Sequence, residues 1–520
     1  WYPERLSRAC FSGTGVLLAR CLLLLVVILL PLSARADRPN ILLAISDDQS
    51  FPHASIYGDK GVSTPAFDRI AREGLLFQNA FSSSPGCSPS RASLLTGRYT
   101  WQLEHAGTHA SSFSSRFACY PDLLEEAGYH VGYTGKPWGP GNWKAGGRTR
   151  NPAGPAFTGK TLQRPASGIS NKDYAGNFRD FLQGRSEGQP FCFWYGAHEP
   201  HRRFEEGSGL RLGKSLEDAT VPSFLPDTPL IRSDILDYYI EIEHFDRQLG
   251  AMLKILEEAG ELENTLVIVT SDNGMAFPRA KANCFEFGFH VPLAIRWPAM
   301  DGAAGRQLDD LVSFVDIAPT LLEAAGLKVP REMVGRSLMG IIKSRRDGQA
   351  DRRRVAVYGA RERHSSSRYG NLAYPQRALR THDYLLIHNF QPDRWPAGAP
   401  RKLNGDGTLG PMHGAYHDID ACPSLTFLVN GREDPLVSRF FHLAVDKRPE
   451  FELYDIRRDP GCIVNLYESH DHAATAARLT AQLDHHLRES GDPRAIDGGD
   501  VFETYKRYSS MRRFPRPEAP

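Results

Sequence analysis

Three polar clusters stand where apolar runs of strand length end: Asp47-Asp48 after "NILLAIS", His198 and His201 in "GAHEPH" after "PFCFWYG", and Asp272-Asn273-Gly274 after "TLVIVTS". Two adjacent carboxylates repel each other and raise one pKa unless a cation lies between them. Brought together, the Asp-Asp and Asp-Asn pairs supply three carboxylates and one amide, all oxygen donors. That set suits a hard ion such as Ca2+, less well Mg2+, and zinc poorly. Either pair alone reads first as a turn or cap, and His198 alone as a solvated loop histidine. Both pairs at strand ends of one parallel sheet point to metal. A fourth stretch, "SSSPGCSPSRASLLTG" at 82–97, sets Cys87 at the mouth of a helix with Arg91 one turn on. Free N–H groups and the helix dipole favour negative charge there, and Arg91 can reach back to the same point. A low-pKa nucleophilic thiolate and a generic redox thiol both fit such a cysteine, although no second cysteine is near in sequence.

These residues need a frame. Through the first two-thirds of the chain, apolar runs alternate with helical periodicity. "NILLAIS", "LLFQNAF", "YHVGYTG", "PFCFWYGA", "TLVIVTS" and "VPLAIRW" read as buried strands. Helices read at 64–74, capped by Thr64 with Pro65 in the first turn and stopped by Gly74, then in "YPDLLEEAG", near 231–258 and at 314–326. This rhythm predicts an α/β fold, a mostly parallel sheet sandwiched by helices, with ligands beyond the carboxyl ends of the strands. After about residue 360, "YPQRALRTHDYLLIHNF" and "FELYDIRRDP" read as antiparallel strands, followed by a helix at 472–490. A smaller C-terminal α+β domain built on an antiparallel sheet is expected. The expected division is a signal peptide over 1–36, a catalytic domain over 37–360 and the C-terminal domain over 361–520.

Lys+Arg 62 against Asp+Glu 61 leaves a formal charge of +1. That excludes a global basic field for nucleic acid or anionic lipid, so any anion specificity must come from a local pocket. At the N-terminus, arginines precede an apolar run ending at Leu32 and then Ser33-Ala34-Arg35-Ala36. This reads as a secretory signal cleaved after Ala36, giving an exported protein. The apolar core falls well short of the roughly 20 residues a membrane span needs, so no stable membrane insertion is expected. Beyond the signal stand Cys87, Cys119, Cys192, Cys284, Cys422 and Cys462, at spacings that match neither a zinc module nor a disulfide framework.

"CSPSR" followed by "ASLLTG" resembles the C-x-P-S-R…TG signature of the sulfatases. The resemblance runs from "NILLAISDD" through "TGK", "HEPH" and "SDNG" to "FELYDIRRDP". Within the family it is most similar to the branch acting on N-sulfoglucosamine, the heparan sulfamidases, on "SDNGMAFP", "AHEPHR" and "YPQRALRTHDYLLIHN". It implies an alkaline-phosphatase-like α/β domain with a smaller C-terminal domain. It also implies that a formylglycine-generating enzyme oxidises Cys87 to formylglycine during maturation, the hydrated aldehyde being the nucleophile. Asp47, Asp48, Asp272 and Asn273 would hold one Ca2+, completed by the modified Cys87. Arg91 would hold the formylglycine hydroxyl and sulfate, Lys136 a sulfate oxygen, His198 the leaving group and Lys281 the bridging atom. The partner implied is a sulfated saccharide; a homodimer is left open.

One departure stands out. Many sulfatases carry a histidine two positions after the "GK" lysine, where "TGKPWGPG" has Trp138; His109 or His201 would have to replace it. Trp138, His201 and Arg377 are taken as substrate contacts, with a structural salt bridge the equal alternative for Arg377. The activity expected is hydrolysis of an N-sulfoglucosamine sulfamate. The alternatives are an O-sulfatase on another sulfated polysaccharide, a phospho- or phosphonate hydrolase of the same superfamily, and a non-catalytic glycan-binding relative.

Overall fold

The computed structural model describes residues 38–297 and 304–509. The expected signal peptide over 1–36 lies outside the described residues. An eight-stranded sheet runs in the order β3-β4-β1-β5-β6-β2-β7, with β8 also pairing with β2. Its strands are β1 Asn40–Ser46, β2 Leu75–Phe81, β3 His130–Gly135, β4 Phe191–Gly196, β5 Thr265–Ser271, β6 His290–Arg296, β7 Arg306–Leu308 and β8 Val312–Ser313.

The continuous apolar runs follow from burial on both faces. Ile41, Leu43 and Ile45 of β1 pack with Leu94 and Leu95 of the Cys87–Thr96 helix and with Leu321 and Leu322 of the Ile317–Ala324 helix. Leu42 and Ala44, pointing the other way, meet Phe245, Leu249 and Met252 of the long Pro229–Glu258 helix. Each such aliphatic side chain withdrawn from water contributes about 1.5–3 kcal/mol. Two layers of helix over one sheet follow directly.

Strands β3, β4, β1 and β5 are mutually parallel, so their carboxyl ends share one edge. "VPLAIRW" departs from the parallel pattern. As β6 it runs antiparallel to both β5 and β2. The connection from Ser271 to His290 holds only the short Glu286–Phe289 helix, and the chain re-enters the sheet from the end it left. The intervening stretch is long enough for a crossover, but it stays at the carboxyl edge, where it carries Asp272, Asn273 and Lys281, and crosses no face of the sheet as a parallel return must.

The second sheet has the order β12-β11-β10-β9, with β9 Val357–Arg361, β10 Gln376–Arg380, β11 Tyr384–Asn389 and β12 Phe451–Asp455. All its pairings are antiparallel. Its first strand straddles the expected division at residue 360. Leu379, Leu386 and Leu453 on one face pack against Leu479, Leu483 and Leu487 of the Ala473–Glu489 helix. Ala378, Leu385 and Ile387 on the other pack with Phe81, Phe285 and Phe289.

Candidate active site

The shared carboxyl edge collects the chemistry. Because Ser46 lies opposite Ser271 in the β1–β5 register, Asp47-Asp48 and Asp272-Asn273 leave the sheet side by side. Asp48 turns the chain at φ 77°, and its N–H donates to Asp272 Oδ1 at 3.1 Å. Lys136 follows β3 and bonds the Asp47 carboxylate through Nζ. His198 follows β4. Cys87 opens its helix after Gly86, and its Sγ lies 3.5 Å from Asp47 Oδ1 and 4.0 Å from Asp48 Oδ1. Ligand atoms of Asp47, Asp48, Cys87 and Asp272 all lie within 4.8 Å of one another, and all four residues are buried. Asn273 Nδ2 donates to Asp48 Oδ1 at 2.7 Å, which leaves Asn273 Oδ1 buried without a hydrogen-bond partner. A buried acceptor in that state costs about 1–3 kcal/mol. The orphan amide oxygen beside three carboxylates fits a hard divalent cation.

Three fixed cations close round this centre. Arg91 is fully buried, donates from Nε to Asp272 Oδ2 at 2.8 Å and from Nη1 to the Lys136 carbonyl at 2.8 Å. Lys281 donates to Asp48 Oδ2 at 2.5 Å and to Asp420 Oδ2 at 3.1 Å. Burial alone would raise the Asp47 pKa, but Lys136 first, then His201 and Arg91, hold it well below the usual carboxylate range. For Asp48 and Asp272 burial wins, lifting both to about 6 against the pull of Lys281 and Arg91 respectively. Burial opposes charge on Lys136 and Lys281 too, yet Asp47 in one case and Asp420 with Asp48 in the other keep both ammonium groups protonated.

Burial works against the thiolate reading of Cys87. Burial pushes its pKa well above that of an ordinary thiol, with Lys136 pulling the other way to less effect. The helix N-terminus is present, but the desolvated setting beside Asp47 outweighs it. Among the described residues no disulfide forms: all six cysteines are free and buried.

The centre opens into a cavity of about 600 Å³ whose walls include Lys136, His198, His201, Lys281, His364 and Asp420. Burial drives the pKa of His198 and of His201 down to about 4, so both are neutral near pH 7. His201 Nε2 is 3.9 Å from Asp48 Oδ2, and His201, Asp48 and Asp420 form a second group of potential metal ligands. The Lys281 ammonium bonds both carboxylates of that group, so it is a lysine site and no second metal is assigned.

Two expected substrate contacts are corrected. Trp138 is 2% exposed, donates from Nε1 to the Ser88 carbonyl at 3.1 Å and packs on Phe113. It braces the Cys87–Thr96 helix from behind and is absent from the cavity wall. Arg377, on β10, is fully buried between Asp492 and Glu362; the structural salt bridge is the role it has. His109 and His201, the two candidates for the missing histidine, both line the cavity. Asp420, His364, Arg164, Arg203 and Arg507 also line it and were not singled out from the sequence. They come from loops and from the C-terminal half, where no strand end or motif marks them.

Comparison with known proteins agrees with this geometry. The Sulfatase family model matches residues 39–327. The chain belongs to the sulfatase family. A second model, for the C-terminal region of N-sulphoglucosamine sulphohydrolase, matches residues 280–397 of this sulfatase. It is 29% identical to the N-sulphoglucosamine sulphohydrolase of Homo sapiens over 93% of the chain and 96% of that protein. It is 26% identical to an ulvan-active sulfatase of Formosa agariphila, covering 88% of the chain and 76% of the relative. Among solved structures it is similar to one in complex with its substrate D-glucosamine-2-N,6-O-disulfate, at TM-score 0.63 and 21% identity over 88% and 99% of the two chains. The phosphonate monoester hydrolase of Agrobacterium radiobacter, at TM-score 0.62 and 19% identity over 88% and 97%, shares the fold. The protein is accordingly a hydrolase of sulfate or sulfamate esters. No helix among the described residues is long and apolar enough to cross a membrane.

Proposed function

We propose that this sulfatase removes sulfate from a sulfated sugar, with the sulfamate of N-sulfoglucosamine as preferred substrate, using one Ca2+ and a formylglycine made from Cys87. The observation that carries the reading is the unpartnered Asn273 Oδ1 among Asp47, Asp48 and Asp272, within reach of Cys87 Sγ. Sugar specificity rests on the likeness to the human sulphohydrolase, which spans nearly all of both chains. Export, expected from the leader at 1–36, belongs to the same reading.

Asp47, Asp48, Asp272 and Asn273 would hold the ion, which supplies fixed positive charge for a sulfate oxygen. The hydrated aldehyde supplies an oxygen nucleophile that a desolvated thiol does not. The remaining steps belong to side chains in place. Lys136, Arg91 and the N-terminus of the Cys87–Thr96 helix hold a tetrahedral anion without reorganising when charge shifts. Neutral His198 and His201 accept a proton, and protonated Lys281 donates one to the departing atom. Burial of the centre excludes water from the sulfur and strengthens each of these interactions.

Two measurements test the reading. Mass spectrometry of the peptide containing Cys87 should show aldehyde in place of thiol. Turnover of N-sulfoglucosamine should exceed that of a panel of O-sulfated sugars by at least about tenfold in kcat/KM. A preference for O-sulfates would replace the sulfamidase reading with an O-sulfatase, and an unmodified Cys87 in active enzyme would remove the formylglycine.

A further inference from the structure

Among the described residues, the cavity is lined by two carboxylates, Asp47 and Asp420. Asp47 belongs to the metal centre. Asp420 does not; it accepts from the Lys281 ammonium at 3.1 Å, and a Lys281 that gives its proton to a leaving group no longer balances that carboxylate. Its position is fixed from both sides. Two residues earlier, buried Asp418 accepts from the Ser365 hydroxyl at 2.6 Å, from Arg361 at 2.7 Å and from Arg368 at 2.6 Å. Beyond it, the Pro423–Asn430 helix is tied down by Ser424, whose hydroxyl bonds Asp234. The Asp420 side chain keeps 16% exposure against 5% for Lys281, so a ligand in the cavity meets it.

Asp420 also stands on the side where a leaving group departs. The floor behind Cys87 is closed by Arg91, Asp272 and Asn273, all fully buried. Sulfate must therefore enter from the cavity, and in-line attack sends the departing atom back toward it. Asp420 and His201 ligand atoms lie within 4.8 Å of an Asp48 carboxylate oxygen, which places them beside the reacting centre on that open side.

We infer that Asp420 is a specificity-determining residue that selects an amine over an alcohol as the leaving group, by pairing with the ammonium that the amine becomes. The inference rests on the proposed sulfatase reaction and names its substrate class. When an S–N bond breaks, sulfur's new bond is to the attacking oxygen and the S–N electron pair stays on nitrogen. The sulfamate nitrogen takes one proton from a lining acid such as Lys281 before the S–N bond breaks, giving R–NH2+–SO3−; it then departs as R–NH2 with the S–N pair and takes a second proton from water to become R–NH3+. Asp420 stabilises that charge. An ester oxygen is too weakly basic to be protonated in that way, and the alcohol it becomes takes one proton and stays neutral, so Asp420 gains no cation there. One side chain thus favours the sulfamate over the sulfate ester.

The test uses Asp420→Asn and Asp420→Glu in the mature, calcium-loaded enzyme. Binding of glucosamine and of N-acetylglucosamine is measured by calorimetry, alongside kcat/KM on N-sulfoglucosamine and on glucosamine 6-sulfate. Wild type should bind glucosamine about tenfold tighter than N-acetylglucosamine, the scale of a close charge pair. D420N should lose that difference, and D420E should restore part of it. In D420N, kcat/KM should fall about tenfold more on the sulfamate than on the 6-sulfate. Equal falls on both substrates with the glucosamine preference intact would make Asp420 a mere support for Lys281 and overturn the inference. Equal weakening of both sugars would assign it to a hydroxyl instead, and also overturn it. Because the binding arm needs no turnover, an enzyme inactive on every sulfated sugar would sink the proposed function and leave this comparison readable.

Discussion

Arg91 and Arg377 invite a direct comparison, since both are fully buried arginines paired with carboxylates. Around Arg377 the account closes. Its Nε and Nη2 grip Asp492 at 2.5 and 2.9 Å, Nη2 reaches Glu362 at 2.9 Å and Nη1 takes the Gln376 carbonyl at 2.9 Å. Arg494 completes the set with Glu362 and Glu503, and the aromatic rings of Trp101, Phe390 and Phe502 lie within 6 Å. Around Arg91 it does not close: Arg91 Nη2 and Asn273 Oδ1 are both buried without a hydrogen-bond partner, one step from the cavity. Burial and ion pairing are common to the two clusters. What separates these two clusters is the pair of polar groups left without hydrogen bonds beside Asp47 and Asp48.

The largest effect should come from Cys87. Replacement by Ser or Ala is expected to lower kcat/KM by on the order of 10³-fold or more, with little change in Tm; near-normal turnover by C87S would defeat the formylglycine account. Arg377→Met should do the reverse. Leaving Asp492 and Glu362 unbalanced costs about 3–5 kcal/mol of stability, while the folded fraction keeps its KM. A raised KM at unchanged Tm would return Arg377 to the substrate. Next comes the metal. Chelation should lower both activity and Tm, and calcium at a hundredfold excess over its Kd should restore about 2.7 kcal/mol, magnesium less and zinc least. Restoration by zinc alone would break the oxygen-donor assignment.

The smallest effect concerns His486, which stacks on Tyr358 at 3.5 Å in the region of Arg377. Burial lowers its pKa from 6.5 to about 4. The unfolded chain then binds the extra proton between those values, so stability is retained above pH 6.5 and lost as pH falls toward 4. His486→Gln should blunt that acid loss by about 1–2 kcal/mol, allowing for partial exposure, with activity untouched. Parallel pH–Tm curves for the two proteins would count against it.

The candidate metal and nucleophile positions were legible because an apolar strand that stops abruptly at acids announces both its burial and its end. Asp47, Asp48, Asp272, Asn273 and His198 sit where that signal placed them, and Cys87 and Arg91 where a glycine-bounded helix begins. Strand direction was less accessible. Five consecutive apolar residues in β6, Val291 to Ile295, all buried, state that both faces are covered, and nothing in them says which way the strand runs. Trp138 was misread, and Arg377 left between two roles, for a related reason: a position beside a motif does not reveal which way a side chain points, and both turn inward to satisfied partners. Asp420 carried no mark at all. It reaches the centre from a loop some 140 residues beyond Lys281, with an Asp418 two places earlier that looks the same in sequence and is sealed among arginines.

Cys87 is 1% exposed, walled in by Asp47, Asp48 and the helix it starts. Any second protein that must handle its sulfur is shut out once strands β1 and β5 have paired. The proposed maturation therefore has a deadline set by folding speed. If Cys87 is converted as proposed, the conversion belongs to the nascent or still-extended polypeptide, and a molecule that collapses first is stranded as a well-formed but permanently silent copy.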